Sequence, residues 1–338
     1  MNNKGKIKEY GGFLPIDSRN REYYNEDKNY SIKRLNAARY AIVVAVRELK
    51  CSKIWIPTYI CKTVVDTLDK YKIIYSYYSI DNRLMPCLKE IADDECVLAV
   101  NYFSHYCKEY YNEISSKYNK VIFDNTQSFF SEPVIRKNVF NVYSPRKFVG
   151  VTDGAYLIGK DEITECDFAI DCSYQRSIIL LSSFELGTDK VYDEYLQGEE
   201  SICVSGIKEM SKLTRCLLGN VDYESVMIKR IENYNYLAKE LADINQLKVD
   251  CITDFERVPM VYPFLWSDTN KAFRNSLLSN KVYIPQWWKW VLSQPHASDI
   301  ERNLSTNLHP LPIDQRYNIS DMSEIVKIVR KGIKVEAL

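Results

Sequence analysis

Four polar residues of this chain directly follow, or closely follow, short apolar runs that have the composition of buried strands. Asp124 and Asn101 each come immediately after such a run, and Ser144 comes after a third. Lys147 lies three residues beyond Ser144. An amine that meets a carboxylate, a hydroxyl and an amide at one place could bond to a carbonyl carbon and move a proton. These residues are therefore the first candidates for a catalytic site.

The elements around these residues alternate between strand and helix over the first two-thirds of the chain. The apolar runs with strand composition are KIWI (53–56), IIYSYYSI (73–80), CVLAV (96–100), KVIF (120–123), VFNVY (139–143) and AYLI (155–158). Helices are predicted at 37–49, 58–71 and 108–118. This alternation predicts an α/β fold with a mostly parallel central sheet and helices on both faces. In such sheets ligands bind beyond the carboxyl ends of the strands, where the polar residues fall.

The pattern changes near residue 220. A long helix is predicted over 222–242, and the segments that follow it read as strand 258–266, a helix near 269–280, strand 282–285 and a closing helix near 321–332. We therefore predict a large domain over 1–220 and a smaller C-terminal α/β domain over 221–338.

The composition argues against several other classes of protein. Lys plus Arg and Asp plus Glu both number 45, and this zero net charge disfavours nucleic-acid binding, which depends on phosphate neutralisation. Ten cysteines without Cys-x-x-Cys spacing and only three histidines predict no metal site. The sequence also predicts no membrane partner, because it lacks a signal-like start and a long apolar run. The scattered thiols favour a reduced, cytoplasmic protein.

The polar residues match what pyridoxal phosphate (PLP) requires of a protein. Its aldehyde needs a lysine amine, its ring nitrogen needs a carboxylate, and its phosphate needs hydroxyl and N–H donors such as a helix N-terminus supplies. Lys147, Asp124 and Ser144 would meet these needs in that order. Other interpretations of the spacing remain: Lys147 as a surface lysine, and Asp124 and Ser144 as turn residues.

Longer motifs resemble the DegT/DnrJ/StrS-type aminotransferases, a PLP family of fold type I best known for aminating nucleotide-linked keto sugars. Asp-x-x-Gln in VIFDNTQSFF is similar to the family's Asp-Ala-Ala-His/Gln element. This similarity implies that Asp124 faces the pyridinium nitrogen and that Gln127 lies near O3′ of the ring. VYSPRKFVGVTDGAYLI is similar to the family's lysine loop. It implies that Ser144 binds the phosphate and that Lys147 carries the cofactor as a Schiff base.

Three further segments are similar to parts of that family. WIPTYIC resembles its Pro-x-Thr-aromatic segment, which implies that Tyr59 stacks on the cofactor ring. LNAARYA occupies the place of its phosphate turn, with Ala37 and Ala38 where a glycine is usual. NYFS resembles a stretch beside the cofactor, and it implies a contact from Asn101.

Two arginines are candidates for substrate binding. Arg316 could receive the carboxylate of an amino-acid donor, because a guanidinium matches a carboxylate bidentately. Arg39 stands at the start of the first predicted helix and is the second candidate. For both residues a surface ion pair is the alternative. The QWWKW segment, with Trp287, Trp288 and Trp290, is expected to pack between the domains or to line a substrate entrance.

The resemblance implies a homodimer that moves an amino group from an amino acid, with glutamate as the expected donor, to a keto sugar for a surface polysaccharide. Three alternatives remain open. One is a PLP-dependent sugar dehydratase, although histidine replaces the lysine in its known relatives. Another is a PLP enzyme that acts on an amino acid. The third is a non-catalytic binding or regulatory protein, which the altered Ala37–Ala38 turn would favour.

Overall fold

The described residues form an eight-stranded sheet, a two-stranded sheet and helices that flank them. The computed structural model describes residues 10–14, 16–17, 19, 21–26, 29–165, 167–268 and 271–336. The strands are β1 (Ser31–Leu35), β2 (Lys53–Pro57), β3 (Tyr75–Ile80), β4 (Pro86–Cys87), β5 (Glu95–Val100), β6 (Val121–Asp124), β7 (Val139–Tyr143), β8 (Ala155–Gly159), β9 (Tyr262–Leu265) and β10 (Leu308–Leu311).

The helices are α1 (Ala38–Glu48), α2 (Lys62–Lys70), α3 (Lys108–Lys117), α4 (Tyr174–Leu186), α5 (Tyr192–Ser205), α6 (Lys212–Gly219), α7 (Tyr223–Glu240), α8 (Ala272–Ser279), α9 (Asp299–Asn307) and α10 (Ile319–Glu336). Parts of both predicted domains lie outside the described residues. In the large domain these are residues 1–9, 15, 18, 20, 27–28 and 166. In the C-terminal domain they are residues 337–338 and residues 269–270, which belong to the helix predicted near 269–280.

The large sheet has the strand order β1-β8-β7-β6-β5-β2-β3-β4. Strands β7, β6, β5, β2 and β3 run parallel to one another, and β8 and β4 run antiparallel to them. Strand β1 pairs antiparallel with β8 and so has the same direction as the parallel strands. All residues of β6 and β7 are buried, as expected for central strands that are covered on both faces. The predicted fold class, a mostly parallel α/β sheet with a smaller C-terminal α/β part, is confirmed.

Most predicted elements lie close to their observed positions, but three predictions need correction. The strand predicted at 258–266 is shorter than expected and begins at Tyr262. The helix predicted at 58–71 begins four residues later, at Lys62. The strand predicted at 282–285 is wrong, because this segment pairs with no strand. Its apolar residues Val282 and Ile284 are buried by side-chain packing in the core of the C-terminal part instead. Periodicity alone does not distinguish these two ways of burying an apolar run.

The C-terminal part has its own hydrophobic core. Helices α7, α8 and α10 pack together around β9 and β10. Helix α7 begins at Tyr223, close to the predicted boundary at 220/221. Side chains from both sides of that boundary also share a cluster, in which Val226 and Val258 pack with Phe148 of the lysine loop. The two parts are therefore tightly joined near Lys147.

Helices α4 and α5 form a helical hairpin, residues 174–205, that the sequence analysis did not predict. The hairpin packs on the start of α1, where Ile202 contacts Ala37 and Tyr40. The Tyr40 hydroxyl donates to the Ile202 carbonyl at 2.8 Å. The side chains that the hairpin directs outward are largely apolar and exposed. In the described part of the chain, no helix combines the length and the apolarity needed to cross a bilayer.

A glycine connects the lysine loop to β8. Gly154 has a φ of +117°, and its N–H donates to the Asn36 carbonyl at 2.8 Å. A methyl group at this position would lie 3.1 Å from the Thr214 side chain and 3.3 Å from the Pro145 ring. Both the backbone conformation and the packing therefore require glycine here.

We expect Gly154→Ala to lower the free energy of unfolding by about 2–4 kcal/mol, since the alanine would be strained and also overpacked. Gly198→Ala is the matched control: Gly198 lies inside α5 with nothing within 4 Å of the added methyl. It should leave stability unchanged or raise it by up to about 1 kcal/mol. Urea titration of both variants measures the difference, and equal effects would contradict the prediction.

Candidate active site

Two neighbouring strands bring Lys147 and Asp124 to the same edge of the sheet. Asp124 is the last residue of β6, and Lys147 ends a short 3-10 turn, Pro145–Lys147, that follows the adjacent parallel strand β7. Thr126 links the two: its hydroxyl accepts a hydrogen bond from Lys147 Nζ at 3.1 Å, and its N–H donates to Asp124 Oδ1 at 3.0 Å. The amine and the carboxylate therefore belong to one site.

The Lys147 ammonium is destabilised by its surroundings. Desolvation by the surrounding protein lowers the pKa of Lys147, and the negative charge of Asp124 is the main influence that opposes this. The side chain is nevertheless exposed to solvent. Such an amine is accessible and loses its proton more readily than an ordinary lysine.

Groups suited to binding an anion lie near this turn. Ser144 is buried, and its hydroxyl makes no hydrogen bond to the described residues. Helix α1 begins without a side-chain cap, so its first N–H groups are not satisfied by a side chain. Arg39, in the first turn of α1, is buried and forms no ion pair with a described carboxylate; its Nη1 donates to Cys203 Sγ at 3.2 Å. Ala38 remains partly accessible, whereas Ala37 is covered by the hairpin.

Gln127 and Asn101 take part in hydrogen bonds within the large domain. Gln127 Oε1 accepts from the Phe103 N–H at 3.0 Å. This bond supports a backbone turn in which Phe103 and Ser104 both have positive φ, at 57° and 63°. Asn101 accepts from the Tyr106 N–H at 2.9 Å and donates to a tyrosine hydroxyl at 2.7 Å. Both amides therefore orient the loop after β5, and neither is shown in contact with Lys147.

Tyr59 does not present an accessible ring face. Its side chain is fully buried, with ring centroids 4.5 Å from Trp288 and 5.5 Å from Tyr102. Burial raises the pKa of its hydroxyl, which has no hydrogen-bond partner among the described residues. The prediction that Tyr59 stacks on a cofactor ring needs correction, because other aromatic rings already enclose Tyr59.

The tryptophan segment packs between the two parts of the chain. Trp287 stacks on Phe103 with ring centroids 5.8 Å apart, and the Trp290 indole N–H donates to the Ile60 carbonyl at 2.8 Å. Of the two alternatives that the sequence left open, packing between the domains is therefore the one observed.

Arg316 lies in an ion pair on the surface. Its Nε and Nη2 donate to the two carboxylate oxygens of Asp314 at 2.7 and 2.9 Å. The guanidinium is thus already matched bidentately within its own chain. This is the surface ion pair that the sequence left open as an alternative, and the structure gives no support to Arg316 as a free receptor for a donor carboxylate.

Three residues near Lys147 were not among the candidates from the sequence: Thr126, Arg146 and Glu199. Thr126 lies between the candidates Asp124 and Gln127 in the sequence, so its place there could have indicated that it belongs to the site. Arg146 was not singled out; it forms an ion pair with Glu199 of α5. That pair attaches the hairpin directly to the lysine turn. No pattern in the sequence indicated this contact, because the hairpin itself was not predicted.

Known structures share this architecture, although no family model and no curated protein matches the sequence. A sugar aminotransferase from Micromonospora echinospora, CalS13, superposes with a TM-score of 0.62 at 14% identity, covering 89% of this chain and 87% of that one. PseC of Helicobacter pylori, an aminotransferase involved in pseudoaminic acid biosynthesis, gives 0.61 at 16% identity, covering 90% and 87%.

A third similar structure is a different kind of enzyme. GDP-4-keto-6-deoxy-D-mannose-3-dehydratase of E. coli, solved with bound hydrated PLP, gives a TM-score of 0.60 at 13% identity, covering 88% of this chain and 87% of that one. The chain has the fold of these enzymes. Because aminotransferases and a dehydratase share it, the fold alone does not choose between their reactions.

We expect competitive acylation across a pH series to give Lys147 a titration midpoint below the ordinary lysine value of 10.5. Asp124→Asn should lower it further, because the carboxylate charge that favours the ammonium is removed. Lys62 is an internal control whose midpoint should lie above the ordinary lysine value, because its hydrogen bond to Asp66 raises its pKa. Mass spectrometry of the labelled peptides measures all three. An upward shift of the Lys147 midpoint in Asp124→Asn would refute the assignment.

Proposed function

We propose that this protein is a PLP-dependent aminotransferase of the DegT/DnrJ/StrS type. One observation carries the proposal: the accessible amine of Lys147, with its lowered pKa, shares a site with the Asp124 carboxylate through Thr126. The fold supports it, because similar structures include sugar aminotransferases and PLP-bound enzymes.

The residues present fit this cofactor. Lys147 Nζ would bond to its aldehyde carbon, and Asp124 would keep its ring nitrogen protonated. Three groups would bind the phosphate: the hydroxyl of Ser144, the N–H groups at the start of α1 and the guanidinium of Arg39. Among the described residues the Ser144 hydroxyl has no hydrogen-bond partner and Arg39 has no carboxylate partner. When bound, PLP supplies an aldehyde that takes up amines and a ring that withdraws electrons from the adjoining carbon.

Lys147 then has a second role, as the residue that moves protons. Once its amine is free, Nζ would take a proton from the substrate carbon that bears the nitrogen and deliver it to the cofactor carbon on the other side of that nitrogen. A lysine performs this at neutral pH only if its pKa is lowered, as desolvation does here. Thr126 would orient Nζ through the hydrogen bond that it already accepts.

The substrates follow from the family resemblance and the similar structures. We propose glutamate as amino donor and a nucleotide-linked keto sugar as acceptor, in the synthesis of a surface polysaccharide. The dehydratase alternative is disfavoured by the lysine at position 147, because known relatives of that kind carry histidine there.

We expect the protein, mixed with PLP and reduced by borohydride, to gain the mass of the reduced cofactor on the Lys147 peptide. Lys147→Arg retains the positive charge but should show no such adduct, because a guanidinium is a poor nucleophile at neutral pH. Lys137→Ala is the control for an unrelated lysine and should behave as the wild type. Absence of any adduct on the folded wild-type protein would overturn the proposed function.

The reaction class is tested with ¹⁵N-glutamate and a keto sugar nucleotide. Transfer of ¹⁵N to the sugar supports an aminotransferase. Loss of a hydroxyl from the sugar, with no ¹⁵N in the product, would indicate a dehydratase. An adduct on Lys147 without turnover of either kind would favour a non-catalytic role.

We also propose that the protein is a homodimer that associates through the α4–α5 hairpin. Nine large apolar side chains of the hairpin are exposed, from 47% at Leu196 to 90% at Phe184. They expose on the order of 1,000 Å² per chain, whereas a stable interface buries about 800 Å² per partner. The hairpin also carries six acidic and two basic residues, which disfavours an anionic membrane surface as the partner.

We expect the double variant Leu181→Asp, Phe184→Asp to weaken self-association by at least about tenfold, because it places charges in the apolar surface. Ile74→Asp is the control, since Ile74 is 66% exposed but lies outside the hairpin. Sedimentation over a concentration series measures both variants. A wild-type protein that stays monomeric at high concentration would contradict the dimer without touching the cofactor assignment.

A further inference from the structure

Arg230 is a buried cation without a carboxylate partner. The residue lies on α7 and is 2% exposed. Among the described residues no carboxylate lies within ion-pair distance of it, and the nearest acidic influence, Asp314, is already paired with Arg316. Burial lowers the pKa of Arg230 to about 10. An unpaired buried charge is costly, so hydrogen bonds must compensate for its lost hydration.

Those hydrogen bonds converge on the residue after Lys147. Arg230 Nη2 donates to the Phe148 carbonyl at 3.1 Å, and the guanidinium lies 4.8 Å from the centroid of the Phe148 ring. Gln315 Nε2 donates to the same carbonyl at 2.9 Å, while its Oε1 accepts from Arg230 Nε at 3.2 Å. Arg230, Gln315 and Phe148 thus form a closed ring of hydrogen bonds.

The remaining donors fix the guanidinium itself. Nη1 donates to the carbonyls of Met260 at 2.9 Å and Pro259 at 3.3 Å. The cation is therefore attached to the C-terminal part of the chain and directed at the lysine turn. It joins the two parts at the residue that follows the reactive amine.

The two peptide units on either side of Phe148 are consequently restrained by hydrogen bonds. The N–H groups of Phe148 and Val149 both donate to the Pro145 carbonyl, at 2.9 and 3.0 Å. The Phe148 carbonyl accepts from Arg230 and Gln315. The backbone after Lys147 is therefore held by hydrogen bonds from both parts of the chain.

We propose that Arg230 and Gln315 are positioning residues that fix the Lys147 amine in its desolvated, reactive orientation. The inference rests on the proposed function for the chemistry of Lys147. The geometry of the amine can nevertheless be tested without a cofactor.

The test compares Arg230→Met and Gln315→Leu with the control Arg316→Met, which removes a neighbouring surface arginine. In cofactor-free protein, competitive acylation should show the Lys147 midpoint rising toward 10.5 in the first two variants, because a looser turn lets Nζ move away from the protein atoms that desolvate it. Arg316→Met should leave that midpoint unchanged. Gln315→Leu isolates the positional effect, since it removes no charge and affects a half-buried residue.

A second measurement uses PLP itself. The dissociation constant for PLP should rise about tenfold in Arg230→Met and in Gln315→Leu, consistent with the loss of one hydrogen bond to a strained or charged partner. The double variant should lose less PLP-binding free energy than the sum of the two single losses, because both residues act through the same carbonyl. Thermal unfolding monitors the fold of each variant.

The outcomes separate the inference from the proposed function. Folded Arg230→Met and Gln315→Leu proteins with the wild-type Lys147 midpoint would overturn the positioning role, and Gln315→Leu alone decides it if Arg230→Met does not fold. A wild-type protein that binds no PLP would refute the proposed function, whereas the acylation experiment would still test the positioning role.

Discussion

A lysine amine reacts as a nucleophile or moves a proton at neutral pH only when its ammonium is made less favourable than in water. In this protein desolvation does this, while one carboxylate at the end of the neighbouring strand limits the effect. The balance depends on the short distance between the ends of β6 and β7, which the parallel pairing of Asp124 with Val142 fixes. The rest of the site extends from this pair, and the hydroxyl of Thr126 lies between its two members.

The central strands and the residues that follow them could be predicted from the sequence for a clear physical reason. Strands buried on both faces are continuous apolar runs, so β5 to β8 are distinct in the sequence. Strand β1, SIKRL, was missed because it carries two charged residues and is only half-buried at the edge of the sheet. The hairpin was missed because its helices are apolar on several sides and lack the regular spacing that a core-facing helix shows.

The roles of individual side chains were harder to predict than their positions. Tyr59 follows a strand as expected, but aromatic residues from distant parts of the chain enclose its ring. Arg230 and Lys229 are neighbours on α7 and look equivalent in the sequence. Lys229 pairs with Glu232 on the surface, whereas Arg230 is buried against Phe148. Only the three-dimensional packing distinguishes them, because burial is decided by segments far away in the chain.

The two residues that flank Lys147 are attached to different bodies. Arg146 is tied to the hairpin through Glu199, and Phe148 is tied to the C-terminal part through Arg230 and Gln315. A movement of the hairpin would reach Lys147 through Arg146, and a movement of the C-terminal part would reach it through Phe148. The reactive amine therefore lies between two separate attachments, one to the hairpin on its N-terminal side and one to the C-terminal part on its C-terminal side.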